Sequence, residues 1–412
     1  MRKTPKIIAT AAIIILMQSC VRKDDNPVSA PVPDETNGRI TVVNDETKLN
    51  ARVTTRNELI KLDTTRGLGR THGSNAFSMT LVAEIAPPTV NGQTLMATSV
   101  SLDGQFAYIS YNLRGESYGG GVDIVQLKGT QNATIRSEAL FSDTKVSSVF
   151  YDNTTSRLYL AEASNNPAFA YPATVEMLKI SGNKLNLSGA VRTVLTSYVA
   201  TSITSVGGLV FATTGNTGGL YTLTPDSLKV VTYVALSDAR WVDFDPTSLT
   251  LATVQGGGKL YVFSPLAGAF GNTYSFAGTG IPESKSTVEV IGGKALIAAG
   301  DGGVKLVNIA NGTVVGSIAR AIVPGMDPSL SVTNAATGAK QYVYISNGEA
   351  GIYVAQASQL LENNSGNTPI GLTVLGKLQF ATNQSANHVA FDGSTLVIAS
   401  GLGGVKIVSV NF

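Results

Sequence analysis

The chain repeats one pattern seven times: an apolar strand, a glycine-rich turn and a second apolar strand. The two clearest copies are ALIAAGDGGVKLVNI at 295–309 and LVIASGLGGVKIVSV at 396–410. The other copies lie at 106–127, 157–180, 209–224, 249–264 and 342–356. Such a repeat indicates a modular fold, because each unit buries its apolar faces only against its neighbours.

The spacing of the copies predicts the kind of module. The residue before the resumed strand is Gly121 in the first copy and Gly404 in the seventh, which gives a mean step of about 47 residues. This step is typical of β-propeller blades and leaves room for four strands in each. Only 14% of residues are charged and 43 are glycine, which suits strands and tight turns. We therefore predict an all-β fold, a seven-bladed β-propeller over residues 76–412.

An inner strand is expected ahead of each copy. The candidates lie at 97–103, 146–152, 200–206, 239–245, 285–291, 328–334 and 386–392. The seventh copy has no outer strand after it, whereas residues 77–87 precede the first inner strand without a blade of their own. We expect this N-terminal strand to complete the last blade, so that closure leaves no edge strand exposed.

The N-terminal sequence predicts where the protein is located in the cell. Residues 1–19 have a basic start and an apolar run from Ile7 to Met17, too short to span a bilayer as a helix, and therefore indicate a signal peptide. Leu16 to Ser19 followed by Cys20 resembles the lipobox of bacterial lipoproteins, with Gln18 a looser match than the usual small residue. The resemblance implies that Cys20 is lipidated and attaches the protein to a membrane. The alternative is an ordinary cleaved signal with an unrelated cysteine.

The residues after the cysteine extend this resemblance. Lys23 followed by Asp24 and Asp25 resembles the export signal of surface-exposed Bacteroidetes lipoproteins, which implies an outer-membrane lipoprotein displayed at the cell surface. A merely solvated linker is the alternative, because charged runs usually face solvent. Residues 20–75 are predicted to form a flexible tether, rich in Thr and Asn and with several Pro from residue 26 onwards, that a short strand at Arg39 to Val43 interrupts.

The residue pattern of the repeat resembles the LVIVD-type and YVTN-type repeats of bacterial propellers over residues 76–412. The resemblance is one of residue classes, so it implies the fold and leaves the function open. Blade two departs from it, with Pro172-Ala173-Thr174 where the other copies have glycine. The single Trp argues against the WD and quinoprotein types.

Composition excludes several function classes. Without the three basic residues of the leader, the chain has 27 Lys and Arg and 28 Asp and Glu. This balance leaves no excess of positive charge for binding nucleic acid. One cysteine and two histidines, His72 and His388, are too few for a disulfide or a His-rich metal site, so no metal and no cofactor are expected. No nucleophile elbow is present either. The aspartates that recur at inner-strand ends are expected to be turn residues; they are Asp103, Asp152, Asp245 and Asp392.

Two places are candidate binding sites on one face of the propeller. Blades one and two lengthen the turn between their second and third strands, and long loops on a rigid scaffold are where ligands usually bind. Their aromatic, amide and basic side chains suit sugars or peptides; the candidates are Tyr111, Arg114, Tyr118, Asn165, Phe169 and Tyr171. Self-packed loops are the alternative.

The second place is where the inner strands begin, near the central channel. Small hydroxyl residues dominate there, so four other residues stand out and are expected to form a funnel floor: Arg240, Trp241, Asn387 and His388. The alternative is that Trp241 fills space between blades. We expect a non-catalytic module that binds a glycan or an outer-membrane protein. A lactonase-like or other hydrolase that uses channel carboxylates, and a structural subunit of an outer-membrane complex, are the alternatives.

Overall fold

Antiparallel pairing arranges the strands into successive sheets around a central channel. The computed structural model describes residues 35–63, 77–127, 132–245, 249–264, 269–282, 284–363, 366–378, 381 and 384–412. Within these residues seven sheets have four to six strands each, which makes the fold an all-β, seven-bladed β-propeller as predicted. In each blade the strands follow one another outwards from the channel.

Seven elements precede the first blade in the part of the chain that the structure describes. They are the strands Glu35–Thr36 (β1) and Ile40–Val43 (β2), the helix Glu46–Asn50 (α1), and the strands Val53–Ile60 (β3), Ser78–Ile85 (β4), Thr89–Val90 (β5) and Gln93–Thr94 (β6). Asp45 caps the helix, because its carboxylate accepts the backbone N–H groups of Thr47 and Lys48.

The first three blades follow in chain order. Blade 1 contains Met96–Asp103 (β7), Phe106–Asn112 (β8), Gly120–Leu127 (β9) and Ala133–Phe141 (β10). Blade 2 contains Thr144–Asp152 (β11), Arg157–Ser164 (β12), Ala173–Ser181 (β13) and Lys184–Val194 (β14). Blade 3 contains Ser202–Val206 (β15), Leu209–Thr213 (β16), Gly219–Leu223 (β17) and Val230–Ala235 (β18).

The remaining blades keep the same order. Blade 4 contains Ala239–Asp245 (β19), Thr250–Gln255 (β20), Lys259–Ser264 (β21) and Ala269–Ser275 (β22). Blade 5 contains Val288–Ile291 (β23), Lys294–Ala298 (β24), Val304–Asn308 (β25) and Val314–Ile318 (β26). Blade 6 contains Ala335–Ala339 (β27), Tyr342–Ser346 (β28), Ile352–Ala357 (β29) and Leu372–Leu378 (β30). Blade 7 contains His388–Phe391 (β31), Thr395–Ala399 (β32) and Val405–Asn411 (β33), followed by β4 and β3.

The seventh blade is closed by the N-terminal strand. β33 pairs antiparallel with β4 from Val405 opposite Ile85 to Asn411 opposite Ser78. The Lys406 ammonium donates to Glu84 Oε1 at 2.5 Å across this pair. The predicted closure is therefore confirmed.

The turn that leads into β33 requires glycine. Gly404 has a φ of +69°, and a Cβ built on it would lie 2.0 Å from the carbonyl oxygen of Ile85 on the closing strand. A side chain there would meet backbone that cannot move without breaking the pair. The repeated glycine is thus used at this position for close approach between strands.

The segment ahead of β4 differs from the predicted tether wherever the structure describes it. β2 and β1 extend blade 1 beyond β10, and β3 extends blade 7 beyond β4. Ile40 and Val42 are fully buried there. The Arg52 guanidinium lies 2.7 Å from Asp123 and 2.8 Å from Glu138, two buried carboxylates of blade 1. These contacts fix residues 35–63 to the propeller wall, and such partners are distant in sequence.

The predicted inner strand of blade six was wrong. Residues 328–334 contain a 3₁₀ helix, Pro328–Leu330, and the inner strand is β27, Ala335–Ala339. The Asp327 side chain caps the helix and Pro328 opens it, a combination that favours a helical start over a strand.

The predicted targeting and anchoring segments, and part of the predicted tether, lie outside the described residues. This holds for the signal peptide at 1–19, for Cys20, for Lys23 to Asp25 and for the tether residues 64–75. Among the residues that the structure does describe, no helix has the length and apolar character needed to cross a bilayer.

Closure of the ring through β4 predicts that two aliphatic truncations lower the free energy of unfolding by different amounts. Ile85→Ala on β4 should lower the free energy of unfolding by about 2–5 kcal/mol, because this side chain is fully buried between blades 7 and 1. Leu59→Ala on β3 is the matched control and should cost less than about 0.5 kcal/mol, since Leu59 is 65% exposed. Urea denaturation measures both. Equal, small effects would contradict closure through β4.

Candidate functional site

We call the end of the propeller that holds the turns between the second and third strands the upper face. β-Bulges in three inner strands shape the channel at this face. The register of the inner strand shifts between Ala97 and Ser99 in blade 1, between Val146 and Ser148 in blade 2, and between Ala239 and Trp241 in blade 4. The extra residues of these bulges are Thr98, Ser147 and Arg240. A bulged residue leaves the ladder, so its backbone and side chain can be redirected towards a site.

These bulges line a cavity at the upper face, which we call the upper cavity. Its volume is about 810 Å³, within the usual range for small-molecule sites. Its lining is polar with a few apolar side chains, and includes Met96, Asn112, Asn216, Pro282 and Asn387 besides the bulge residues. Its charged lining residues are Asp238, Arg240 and Lys285.

Lys285 reaches across the channel from the start of blade 5. Its ammonium donates to the carbonyl oxygen of Thr98 at 2.7 Å and lies 3.5 Å from that of Ser147, the two bulge residues of blades 1 and 2. It also lies 6.0 Å from the centre of the Trp241 ring. Burial lowers the pKa of Lys285 to about 8, because desolvation disfavours the charged amine.

Trp241 and His388 form a layer across the channel beneath Lys285. Their rings stack with centres 5.1 Å apart and planes 28° from parallel. The backbone N–H of Val100 donates to His388 Nδ1 at 3.4 Å. Burial, and then the charge of Lys285, lower the pKa of His388 to about 3. The imidazole is therefore neutral at physiological pH and accepts a hydrogen bond through Nδ1.

Below this layer lies a second, smaller space of about 270 Å³, which we call the lower channel. Its lining includes two carboxylates on adjacent inner strands, Asp243 and Glu289. Burial raises the pKa of Asp243 to about 6, an effect opposed by the Val290 N–H that donates to Asp243 Oδ2 at 2.8 Å. Burial raises the pKa of Glu289 to about 8. Glu289 is thus largely protonated at neutral pH.

The structure brings together the four predicted funnel residues, with different roles. Asn387 lines the upper cavity, and its amide donates to the Ala97 carbonyl oxygen at 2.9 Å. Trp241 lines both cavities and His388 lines the lower one. Arg240 is 7% exposed and its guanidinium is occupied: it bonds the Asp238 carboxylate at 2.8 and 3.1 Å and the Ile281 carbonyl at 2.9 Å. Arg240 therefore holds the loop before blade 5 against blade 4.

Tyr111 does not belong to a surface site, contrary to the sequence prediction. It lies on β8, is fully buried, and donates its hydroxyl to Asp123 Oδ2 at 2.8 Å. Because Asp123 also pairs with Arg52, the Tyr111 hydroxyl belongs to a polar network inside blade 1.

The other loop residues lie apart from the upper cavity. Asn165 is exposed and Tyr171 is 45% exposed, whereas Tyr118 and Phe169 are partly buried. Neighbouring cations pack on the latter two rings: Lys145 Nζ lies 5.3 Å from the Tyr118 centre, and Arg192 Cζ lies 5.0 Å from the Phe169 centre. The exposed Arg114 lines a different cavity of about 240 Å³ beside blades 6 and 7.

Two of the four recurring aspartates at inner-strand ends, Asp152 and Asp392, act in turns, whereas Asp103 accepts the Asn153 amide of the next blade at 2.6 Å. Asp152 accepts the Thr154 N–H at 2.9 Å, and Asp392 accepts those of Ser394 and Thr395 at 2.7 and 2.6 Å. This use was expected, since Asx turns satisfy backbone donors at strand ends.

Sequence reasoning missed Lys285, Asp243 and Glu289. The aligned inner strands contain a signal for them. In six blades the position three before the shared Val or Ile reads Ala97, Val146, Ala200, Ala239, Lys285 and Ala386, and in blade 6, where Ala336 replaces the Val or Ile, it reads Thr333. The position after it reads Ser101, Phe150, Thr204, Asp243, Glu289, Thr337 and Ala390. Lys285 is the one ionisable residue at the first of these positions, and Asp243 and Glu289 are the ionisable residues at the second; the other blades have small, apolar or neutral residues there. In the part of the chain that the structure describes, no three His, Cys, Asp or Glu side chains cluster to hold a metal ion.

Comparisons with known proteins support the fold alone. No protein-family profile and no curated protein matches the chain. Among solved structures, the WD40 β-propeller domain of Doa1 is similar, with a TM-score of 0.52 and 13% identity over 79% of this chain and 96% of that one. A chain of the mitotic checkpoint complex is also similar, with a TM-score of 0.54 and 12% identity over 84% of this chain and 96% of that one. At such identity the likeness shows the propeller architecture and carries no activity.

Glu289 predicts a pH dependence of stability. The pKa of Glu289 is raised above its unfolded value, so its contribution is complete below about pH 4.5 and is lost as pH rises towards about 8. Glu289→Gln cannot ionise. The stability of this variant relative to the wild type should therefore increase by about 3 kcal/mol between pH 4.5 and 8.

Urea denaturation at the two pH values tests this difference. Glu116→Gln is the matched control, because Glu116 is an exposed residue of the blade 1 loop, and its difference from the wild type should not change with pH. A Glu289→Gln difference that is the same at both pH values would show that the carboxyl is hydrated in the folded protein.

Proposed function

We propose that the chain is a lipid-anchored, cell-surface β-propeller that binds a glycan or a protein ligand in its upper cavity without catalysis. The β-propeller fold is consistent with a protein-interaction module. The observation that carries the proposal is the upper cavity itself, about 810 Å³ in volume with Trp241 in its floor. Cavities of this size that combine an aromatic platform with polar groups are typical ligand sites.

The composition of the cavity favours recognition through stacking and hydrogen bonds. Trp241 is the one tryptophan of the chain, and its ring is braced by His388 at 5.1 Å. A braced indole offers a rigid apolar face with little conformational entropy to lose on binding. The amides of Asn112 and Asn216 supply donors and acceptors around it, whereas the Asn387 amide already donates to the Ala97 carbonyl oxygen and accepts from the Ser385 hydroxyl.

Hydrolysis is the second candidate because two carboxylates line the channel. Asp243 and Glu289 lie on adjacent inner strands, and their pKa values are raised by burial to about 6 and about 8. They line the space of about 270 Å³ below the Trp241–His388 layer, and neither lines the upper cavity. We therefore place binding ahead of hydrolysis.

Lipid anchoring is proposed from the N-terminal sequence. An apolar run ends at Cys20, and a lysine with two aspartates follows at once. A single acyl chain binds membranes only marginally, and the lipid that the lipobox resemblance implies is a diacylglycerol. A surface position would present the upper cavity to extracellular ligands.

Binding in the upper cavity predicts the effect of a single aromatic substitution. On glycan and extracellular-protein arrays, Trp241→Ala should weaken binding of the captured ligand by about 10- to 100-fold, because stacking area at a buried hot spot is lost. Trp241→Phe should retain part of the affinity. Thermal melting of each variant separates lost binding from lost folding.

Tyr171→Ala is the matched control for an exposed aromatic of the blade 2 loop, and it should leave affinity unchanged. If Tyr171→Ala lowered the affinity and Trp241→Ala did not, the ligand would bind at the long loops of blades 1 and 2 and not in the upper cavity.

Anchoring through Cys20 predicts a change of fractionation. Cys20→Ala should release the protein from the membrane fraction, because the thiol that receives the lipid is removed. Ser19→Ala keeps a small residue before the cysteine and should remain in the membrane fraction. Immunoblots of the separated fractions measure both, and detergent-dependent association of Cys20→Ala would contradict the anchor.

A further inference from the structure

We propose that the upper cavity binds an acidic sugar residue of the hexuronic acid type, whose carboxylate pairs with the Lys285 ammonium while its ring lies against Trp241. This inference rests on the proposed function, because it names the ligand class of the same cavity. It is carried by the charge balance of the lining, by the contacts of Lys285 and by two polar atoms that the fold leaves without partners.

The charge balance leaves Lys285 as the cation without a counter-ion. Arg240 pairs with Asp238, with its Nη2 2.8 Å from Asp238 Oδ2, and these two charges cancel. Among the described residues no carboxylate forms an ion pair with Lys285, whose hydrogen-bond acceptors are backbone carbonyl oxygens. The upper cavity therefore has a net charge of about +1 near neutral pH.

The contacts of Lys285 favour one negative charge on the ligand. A partly buried ammonium whose hydrogen-bond acceptors are carbonyl oxygens has a desolvation cost that these dipoles and the Trp241 ring offset only in part, and an anion within hydrogen-bond distance would offset more of it. The oxygens of Thr98 and Ser147 and the Asp238 carboxylate lie around the same space and would repel a dianion. A carboxylate carries a single charge and fits this field better than a phosphate monoester does.

Two unpartnered atoms in the wall favour a ligand with hydroxyl groups. Asn112 Oδ1 and Thr279 Oγ1 are buried and have no hydrogen-bond partner in the described part of the protein. Both residues line the upper cavity, and Thr279 is only 1% exposed. Buried polar groups are normally satisfied, so these oxygens suit hydroxyl groups of a bound ligand. Hydroxyls, an apolar ring face and one carboxylate together describe a hexuronic acid.

The test compares two probes with the same ring and hydroxyl groups, one with a single carboxylate and one in which a methyl ester replaces it. Calorimetric titration of the full chain at pH 7 uses galacturonic acid and its methyl ester. We expect the acid to bind about tenfold or more tightly than the ester, as a charge-assisted hydrogen bond implies. Lys285→Met should abolish this preference. Lys61→Met, at an exposed position, is the matched control and should preserve it.

A pH series on the wild type gives a second readout that needs no variant. Burial lowers the pKa of Lys285 to about 8, so affinity for galacturonic acid should be constant below this pH and decrease above it towards the affinity of the methyl ester. The other charged lining residues, Arg240 and Asp238, pair with each other, and His388 is neutral throughout this range. Affinity that stays constant from pH 7 to 10 would overturn the role of Lys285.

The outcomes separate this inference from the proposed function. Equal affinities for acid and ester, or a preference that survives Lys285→Met, would overturn the acidic-sugar inference and leave a binding function in place. Failure of both probes to bind would also overturn it, and the array experiment alone would then decide the proposed function.

Discussion

The antiparallel pair of β4 and β33 is the contact on which the whole ring depends. Each blade buries its faces only against its two neighbours, so an open ring would expose apolar surface on both sides of the gap. The pair covers that gap with residues such as Ile85 and Val405, both fully buried. An aromatic cluster strengthens the seam: Tyr342 of blade 6 stacks on Phe77 at 4.7 Å and on Phe412 at 4.6 Å. Shape and stability of the channel therefore rest on a contact between distant parts of the chain.

Ring closure also fixes an asymmetric channel. The charged residues that line the upper cavity and the lower channel all come from residues 238–289, within blades 4 and 5 and their connection. The basic group Lys285 lies above the Trp241–His388 layer, whereas Asp243 and Glu289 lie below it. The other five blades contribute small, apolar or neutral polar side chains. The charged groups of the site thus come from two of the seven blades, whereas His388 of blade 7 braces Trp241 and the bulges of blades 1 and 2 supply the acceptors of Lys285.

Periodicity predicted what depends on local pattern, and it failed where partners are remote. The step of about 47 residues predicts blades and inner strands, because glycine turns and apolar strands are local features. Tyr111 was assigned to a surface loop because its partner Asp123 and the Arg52 behind it could not be inferred from spacing. Residues 35–63 resembled a tether for the same reason. Lys285 was missed because its acceptor on Thr98 lies 187 residues away and is freed by a bulge that no motif marks.

The position of the closing strand has a consequence for how the chain reaches its native state. Glu84 and Lys406 meet across the seam although 322 residues separate them, so the ring remains open until nearly the whole propeller has been synthesised. Contacts of such high sequence separation make folding slow, because the entropy of closing the loop is lost before the contacts form. A long-lived open form would keep its strand edges accessible. If the chain is exported unfolded, as the proposed lipid anchor requires, this delay lets the final fold form only after translocation is complete.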